Sequence, residues 1–162
     1  MLDANPSDNR EIERKYLLRA LPPAAVLAGA TSLEIDQGYL PGVRINERLR
    51  RSRGVDGVKY YRNMKFGTGM DRLELEDETS AEFFEATWPF TRGVRVWKRR
   101  YMIPDRDVIW EIDEFLDRPD LWLAEVELDH VDQAVTIPDW LAPVLVREVT
   151  LEKGYSNRAL AR

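Results

Sequence analysis

The sequence contains no cysteine and only one histidine, His130. Without cysteine, the chain can form neither a disulfide nor a thiolate metal site. A single histidine nearly excludes a histidine-based zinc site and a Ser-His-Asp triad. A metal bound by this protein would therefore need carboxylate ligands, which favour Mg²⁺, Mn²⁺ or Ca²⁺.

Long apolar runs and a basic composition are also missing. No apolar run approaches the length of a transmembrane helix, and residues 1–10 do not have the apolar segment of a signal peptide. The formal net charge of -5 argues mildly against general nucleic-acid binding. We therefore expect a cytoplasmic protein without a membrane or nucleic-acid partner. Residues 1–10 are expected to be a disordered lead-in, and residues 11–162 a single domain.

What the sequence does contain is a repeated alternation of charged and apolar residues, first seen in Glu11–Leu18. Successive side chains of a strand point to opposite faces, so Glu11, Glu13 and Lys15 share one face of a predicted strand. About eight such strands, mostly joined in hairpins and accompanied by short helices, favour an antiparallel sheet. One of these hairpins is predicted around the turn residues Asp56-Gly57. The charged faces carry Glu11, Glu13, Glu74, Glu76, Glu111, Asp113, Glu125, Glu127, Lys15, Arg48, Arg50, Lys65, Arg72, Lys98 and Arg100.

Two interpretations of these charged faces compete. The plainer one is a sheet with one solvated face over a hydrophobic core. Against it, nearly every position is ionic, and like charges two residues apart repel unless an opposite charge lies between them. The alternative is a closed barrel whose charged faces point into a wet lumen, while helices cover its apolar outside. A lumen with one acidic and one basic wall would suit a polyanion with divalent cations.

The ordered motifs of the chain resemble those of the CYTH domain proteins, also called triphosphate tunnel metalloenzymes. Glu11–Leu18 is similar to the N-terminal Glu-x-Glu-x-Lys signature of that family. Further similar motifs follow in family order over nearly the whole chain: Gln37-Gly38-Tyr39-Leu40, Arg48-Leu49-Arg50, Lys65, Arg72-Leu73-Glu74-Leu75-Glu76, Lys98-Arg99-Arg100-Tyr101, Trp110–Phe115, Ala124–Leu128, Glu148-Val149-Thr150 and Tyr155-Ser156-Asn157. The resemblance implies an α+β, mainly antiparallel β fold. It would be an eight-stranded closed β-barrel, the triphosphate tunnel, with a charged lumen and helices packed outside.

The resemblance also implies roles for individual residues. By position, the metal ligands for Mg²⁺ or Mn²⁺ are Glu11, Glu13, Asp113, Glu125 and Glu127. The triphosphate-binding residues are Lys15, Arg48, Arg50, Lys65 and Arg100, with Arg72, Lys98 and Lys153 as further candidates. Tyr39 lies where some bacterial members have a tyrosine proposed as proton acceptor; the alternative is a tyrosine that only hydrogen-bonds. The arginine-rich segment 44–53 leaves open which of Arg48, Arg50 and Arg51 face inward.

The function implied by the resemblance is that of a divalent-metal-dependent triphosphatase acting on a small-molecule triphosphate. Inorganic tripolyphosphate would be cleaved to pyrophosphate and phosphate, and a homodimer is left open. The alternatives are a thiamine triphosphatase, a class IV-type adenylate cyclase and a non-catalytic polyphosphate-binding module. The sequence shows neither a nucleoside pocket nor a base for a ribose hydroxyl, as a cyclase would need. Simple anion binding, in turn, would not need the paired carboxylates.

Overall fold

The computed structural model describes residues 10–42, 46–66 and 71–162. The strands of this part are β1 (Arg10–Leu18), β2 (Thr31–Tyr39), β3 (Asn46–Gly54), β4 (Gly57–Phe66), β5 (Asp71–Glu78), β6 (Arg95–Asp105), β7 (Val108–Phe115), β8 (Trp122–Glu127) and β9 (Leu145–Glu148). The helices are α1 (Ala24–Ala28), α2 (Ala81–Thr87) and α3 (Asn157–Leu160), and single 3₁₀ turns lie at Trp88–Thr91 and Lys153–Tyr155. No helix of the described ranges has both the length and the apolar character needed to cross a membrane.

The N-terminal boundary differs slightly from the prediction. β1 begins at Arg10, which the sequence had placed in the lead-in. The remaining residues of the predicted disordered lead-in, 1–9, lie outside the described residues.

All strands belong to one antiparallel sheet with the order β5-β4-β3-β2-β6-β7-β8-β1-β9. Residues 13–18 of β1 pair with β8. On the other edge of β1, residues 10–12 pair with β5 and residues 16–18 pair with β9. The sheet is therefore curved, because β5 stands first in the strand order and still reaches the start of β1.

The predicted eight-stranded closed barrel with helices packed outside was wrong. The described residues form a nine-stranded sheet in which β9 pairs with part of the edge of β1. A regular barrel closes by pairing its edge strands along their length, whereas β5 and β1 meet over three residue pairs. The α-helices contain five, seven and four residues, so they cover only parts of the sheet. The mainly antiparallel β character of the prediction is retained.

Local sequence explains several of these elements. Gly57 adopts a positive φ of 104° in the β3–β4 turn, where glycine carries no steric penalty, and the hairpin predicted around Asp56-Gly57 is confirmed. Ser80 caps α2, because its hydroxyl accepts a hydrogen bond from the backbone N–H of Phe83 at 3.1 Å. At Gly38, a Cβ would lie 2.6 Å from the Thr91 side chain, so only glycine allows the Trp88–Thr91 turn to pack on β2.

The main hydrophobic core lies on the face of the sheet opposite the charged side chains. It is built around Trp110, which is fully buried and packs with Ile12 and Tyr16 of β1. Chain segments after β1 and before β9 cover this core through residues such as Leu27 and Trp140. Burial of these apolar side chains stabilises the outer face of the curved sheet and leaves the charged face inside.

A second apolar cluster lies on the charged face itself, at one end of the strands. Phe115 and Leu123 there pack against Val149 and against Leu160 of α3. This cluster fills that end of the inner face, so the charged residues are confined to the remaining part of the strands.

Candidate active site

A cavity of about 380 Å³ lies on the charged face and receives side chains from β1 to β8. Nine of the predicted site residues line it: Glu11, Glu13, Arg48, Arg50, Lys65, Lys98, Arg100, Glu125 and Glu127. Strand alternation placed these residues on one face, and the curvature of the sheet brings the faces of separate strands together. The structure thus assembles most of the predicted charged set around one space.

Acidic and basic side chains are interleaved around this cavity, whereas the sequence predicted one acidic and one basic wall. Lys65 of β4 bridges Glu11 of β1 and Glu74 of β5, with Nζ–Oε2 distances of 2.6 and 2.9 Å. Lys15 of β1 similarly lies 2.7 Å from Glu125 of β8. Strand pairing explains why acidic and basic side chains are interleaved, because it places strands with cationic side chains beside strands with anionic ones.

The β3 arginines form one side of the cavity. Arg48 Nη2 lies 3.1 Å from Glu74 Oε1 and 3.4 Å from Glu76 Oε2, while Arg50 donates to Glu76 Oε1. Arg51 points to the other face, where it binds Asp36 at 2.8 Å. This resolves the register that the sequence left open: Arg48 and Arg50 face inward.

Both inward arginines retain buried donors. The Nε atoms of Arg48 and Arg50 are buried and have no hydrogen-bond partner among the described residues. A buried N–H without an acceptor is costly, and a guanidinium suits phosphate oxygens in particular. Both side chains line the cavity, so their guanidinium groups contribute positive charge to it.

The β6–β7–β8 side is organised by Arg100. Its guanidinium binds Asp113 through two hydrogen bonds of 2.7 Å and Glu125 through one of 2.6 Å. Lys98 also donates to Asp113. Asp113 is completely buried and does not line the cavity, so the structure places this predicted metal ligand behind Arg100 and Lys98.

The electrostatic environment differs between the carboxylates. Burial raises the pKa of Glu127, and the neighbouring charges of Glu11 and Glu111 raise it further. At Glu74, burial acts in the same direction, but a hydrogen bond with Glu11 and the charges of Lys65 and Arg48 outweigh it. They lower the pKa of Glu74 to about 2. Glu127 therefore lies in a region of excess negative charge, whereas Glu74 is neutralised by basic neighbours.

Tyr39 lies further along the charged face of β2 and is buried beside the cavity rather than in its lining. Its hydroxyl oxygen accepts a hydrogen bond from Gln37 Nε2 at 2.9 Å. Burial raises the pKa of Tyr39, although the charge of Arg48 opposes this effect. The hydroxyl is thus protonated at neutral pH, and its predicted role as proton acceptor remains a prediction.

Two further predicted residues, Lys15 and Lys153, are not among the residues that line the cavity. Lys153 is exposed in the second 3₁₀ turn. The backbone of Arg72 pairs with that of Glu11, but the side chain of Arg72 lies outside the described part of the structure.

Some lining residues were not predicted as site residues. They are Ile35, Gln37, Glu74, Glu76, Glu111 and Asn157. The three glutamates follow the same alternation as the predicted set, so that signal could have identified them. Asn157 comes from α3 and contacts Lys98 Nζ at 3.4 Å. Strand periodicity could not predict this contact, because Asn157 lies in a helix.

The donor set of the cavity fits hard divalent cations by composition. Seven carboxylates and five cationic side chains line it in the described structure. A triphosphate would be repelled by this excess of negative charge unless cations accompanied it, and carboxylate oxygens are the ligands that Mg²⁺ and Mn²⁺ prefer. Among the described residues, however, no group of three or more acidic or histidine side chains is already gathered around one metal position.

Comparison with known proteins agrees with this geometry. No protein-family model matches the chain. The inorganic triphosphatase of Nitrosomonas europaea is 37% identical over 158 residues, which cover 93% of this chain and 96% of that protein. The inorganic triphosphatase of Acetivibrio thermocellus is 30% identical over 94% of both chains. A crystal structure of the inorganic triphosphatase NE1496 superposes with a TM-score of 0.65 at 35% identity, covering 93% of each chain.

These relatives, together with the curved antiparallel sheet and its charged cavity, identify a hydrolase of the triphosphatase class. The chain belongs to the inorganic triphosphatase family, which confirms the resemblance to CYTH-like triphosphatases drawn from the sequence.

Proposed function

We propose that this protein hydrolyses inorganic tripolyphosphate to pyrophosphate and orthophosphate with the help of Mg²⁺ or Mn²⁺. The observation that carries the proposal is the convergence of five cationic side chains, among the described residues, on one cavity. A short polyanion is the ligand that satisfies such donors without requiring an organic binding surface.

In this proposal the basic residues bind the phosphate chain. Arg48 and Arg50 contact phosphoryl oxygens from one side, and Arg100 contacts them from the opposite strands. Their positive charge also stabilises the negative charge that spreads over the equatorial and leaving-group oxygens during the transfer to water. Lys65 and Lys15 assist by pairing with the carboxylates that would otherwise repel the substrate.

Glu11, Glu13 and Glu127 are the proposed metal-holding residues, because they line the cavity where carboxylates are in excess. Glu11 is itself paired with Lys65, but the other two predicted ligands are more deeply buried, and both are held by Arg100 and a lysine. A bound divalent ion would neutralise phosphate charge and lower the pKa of a coordinated water.

A second candidate function is the hydrolysis of an organic triphosphate. A neighbouring cavity of about 300 Å³ shares Arg50 and Arg100 with the charged one. Its other lining residues include Leu33, Val55 and Met102, which could contact an organic group attached to the phosphate chain.

The test is phosphate release from tripolyphosphate, ATP and thiamine triphosphate, each with Mg²⁺, Mn²⁺ or EDTA. The proposal expects fast release of orthophosphate from tripolyphosphate, abolished by EDTA and slow for the two organic substrates. Preference for an organic substrate would establish the second candidate instead. Release of pyrophosphate from ATP without orthophosphate would indicate the cyclase, and tight binding without turnover would indicate a binding module.

A further inference from the structure

Asn63 is a neutral, fully buried side chain in the middle of the charged face. Strand register places it directly opposite Arg48 of β3 and opposite Glu76 of β5. It therefore lies between the strand that supplies the inward arginines and the strand that supplies Glu74 and Glu76. Its spacing places it on the same strand face as Lys65, but its neutral residue type did not mark it as a site residue.

The amide of Asn63 and the guanidinium of Arg48 share their acceptors. Asn63 Nδ2 donates to Glu74 Oε1 and, at 3.2 Å, to Glu76 Oε2. Arg48 Nη2 lies 3.1 and 3.4 Å from the same two oxygens. The opposite orientation of the amide would set its oxygen against both carboxylates, so the donor side must face them.

This arrangement constrains the direction of both arginines. Glu76 uses Oε2 for Asn63 and Arg48 and uses Oε1 for Arg50. Without the Asn63 amide, each carboxylate would lose a buried donor, and both would draw more strongly on the arginines. An aspartate at this position would add a third carboxylate, and an apolar residue would leave the carboxylate oxygens short of a donor.

We infer that Asn63 is a positioning residue for the phosphate-binding arginines Arg48 and Arg50. It holds Glu74 and Glu76 so that each arginine keeps the part of its side chain that lines the cavity available for the substrate. The inference rests on the proposed function, because it assumes that these arginines bind a phosphate chain.

The test compares Asn63→Ala and Asn63→Asp with the unsubstituted protein. KM and kcat for tripolyphosphate are measured with Mg²⁺, and the dissociation constant of tripolyphosphate is measured by calorimetry. We expect Asn63→Ala to raise KM and the dissociation constant by about tenfold or more, since a hydrogen bond to a charged group is lost. Asn63→Asp is expected to weaken binding further, while kcat changes less than KM in both variants.

Thr91→Val is the matched control. Thr91 is also fully buried, and its hydroxyl donates to Trp88 O at 2.7 Å and accepts from Arg95 Nε at 2.8 Å, outside the cavity lining. This control should lower the melting temperature without changing KM. If Asn63→Ala behaves in the same way, with a lower melting temperature and an unchanged dissociation constant, Asn63 is only structural and the inference is overturned.

A double-mutant cycle with Glu76→Gln tests whether Asn63 affects KM through its contact with Glu76. If Asn63 acts through Glu76, the rise in KM caused by Asn63→Ala shrinks when Glu76 is already neutral, whereas independent effects multiply. Binding without turnover in the unsubstituted protein would remove the proposed function, and the dissociation constants would still test Asn63. Absence of tripolyphosphate binding would overturn both.

Discussion

Arg100 holds Asp113 in a two-point ion pair, with Nε 2.7 Å from Oδ1 and Nη2 2.7 Å from Oδ2. Lys98 donates to the same Oδ2. The pair links β6 to β7, and Arg100 extends from it to Glu125. Asp113 therefore fixes the direction of a cavity arginine, and both of its oxygens are engaged in doing so.

Asp113→Asn is expected to lower the free energy of unfolding by about 3 kcal/mol, because it leaves the buried cations Lys98 and Arg100 without their shared counter-charge. KM for tripolyphosphate should rise as Arg100 loses its fixed direction. Urea unfolding and steady-state kinetics measure these two effects. The half-saturating Mg²⁺ concentration should stay the same. A large increase in that concentration would instead indicate that Asp113 is a metal ligand.

Glu13→Gln is expected to weaken Mg²⁺ binding and to abolish most turnover, while the melting temperature changes little. The substitution keeps the shape of the side chain but removes a charged oxygen ligand from the carboxylate-rich part of the cavity. Titration calorimetry with Mg²⁺ in the absence of substrate measures the binding directly.

The control for Glu13→Gln is Glu114→Gln. Glu114 lies 3.5 Å from Arg99 and accepts a hydrogen bond from Tyr101, away from the cavity lining. Its substitution should leave Mg²⁺ binding unchanged. Equal Mg²⁺ affinity in all three proteins would refute the proposed metal-holding role of Glu13.

Tyr39 is expected to make turnover rise with pH on the alkaline side. Burial raises the pKa of its phenol, so only a small fraction can accept a proton at neutral pH, and this fraction grows as the pH increases. In Tyr39→Phe the alkaline rise should disappear. The measurement is kcat against pH for both proteins; coincident profiles would mean that Tyr39 only accepts the hydrogen bond from Gln37.

Glu74 is expected to stabilise the folded protein at neutral pH and to lose this effect in acid. Its pKa falls from 4.5 to about 2 on folding. A carboxyl group whose pKa is lowered on folding stabilises the folded protein at pH values above its unfolded pKa. This contribution is lost as the pH falls through its folded pKa. The unfolding free energies of the unsubstituted protein and Glu74→Gln should therefore converge between pH 5 and pH 2.

Urea unfolding at a series of pH values, in metal-free buffer, measures this convergence. Glu85→Gln is the control, because Glu85 is exposed and pairs with Arg51 on the outer face. Glu85→Gln should change the free energy of unfolding only slightly at every pH. A stability difference for Glu74→Gln that does not depend on pH would show that the loss comes from packing rather than from charge.

The sequence alone was sufficient to predict which residues share a strand face. Alternation is a local property, so Glu11 and Glu13 could be placed together, as could Arg48 and Arg50, without knowing which strands are neighbours. Turn chemistry at Asp56-Gly57 likewise predicted the β3–β4 hairpin. Composition excluded cysteine metal sites and nearly excluded histidine-based ones, because counting residue types requires no knowledge of the fold.

Strand pairing and sheet closure depended on contacts between residues distant in sequence, and the prediction failed there. The short segment Leu145–Glu148 forms β9 because β1, more than a hundred residues earlier in the chain, offers an edge to it. The closed barrel was wrong because an alternating pattern states which face is charged and not how far the edge strands pair.

The site residues show the same difference between local sequence pattern and contacts between residues distant in sequence. Burial decided that Asp113 lies behind Arg100, and long-range packing brought Asn157 of α3 to Lys98. Asn63 has the same strand periodicity as its charged neighbours, but its importance lies in the two carboxylates it binds from another strand. The sequence thus determined the residues that could face the substrate. Tertiary structure decided their partners, because hydrogen bonds and ion pairs depend on distance in space rather than along the chain.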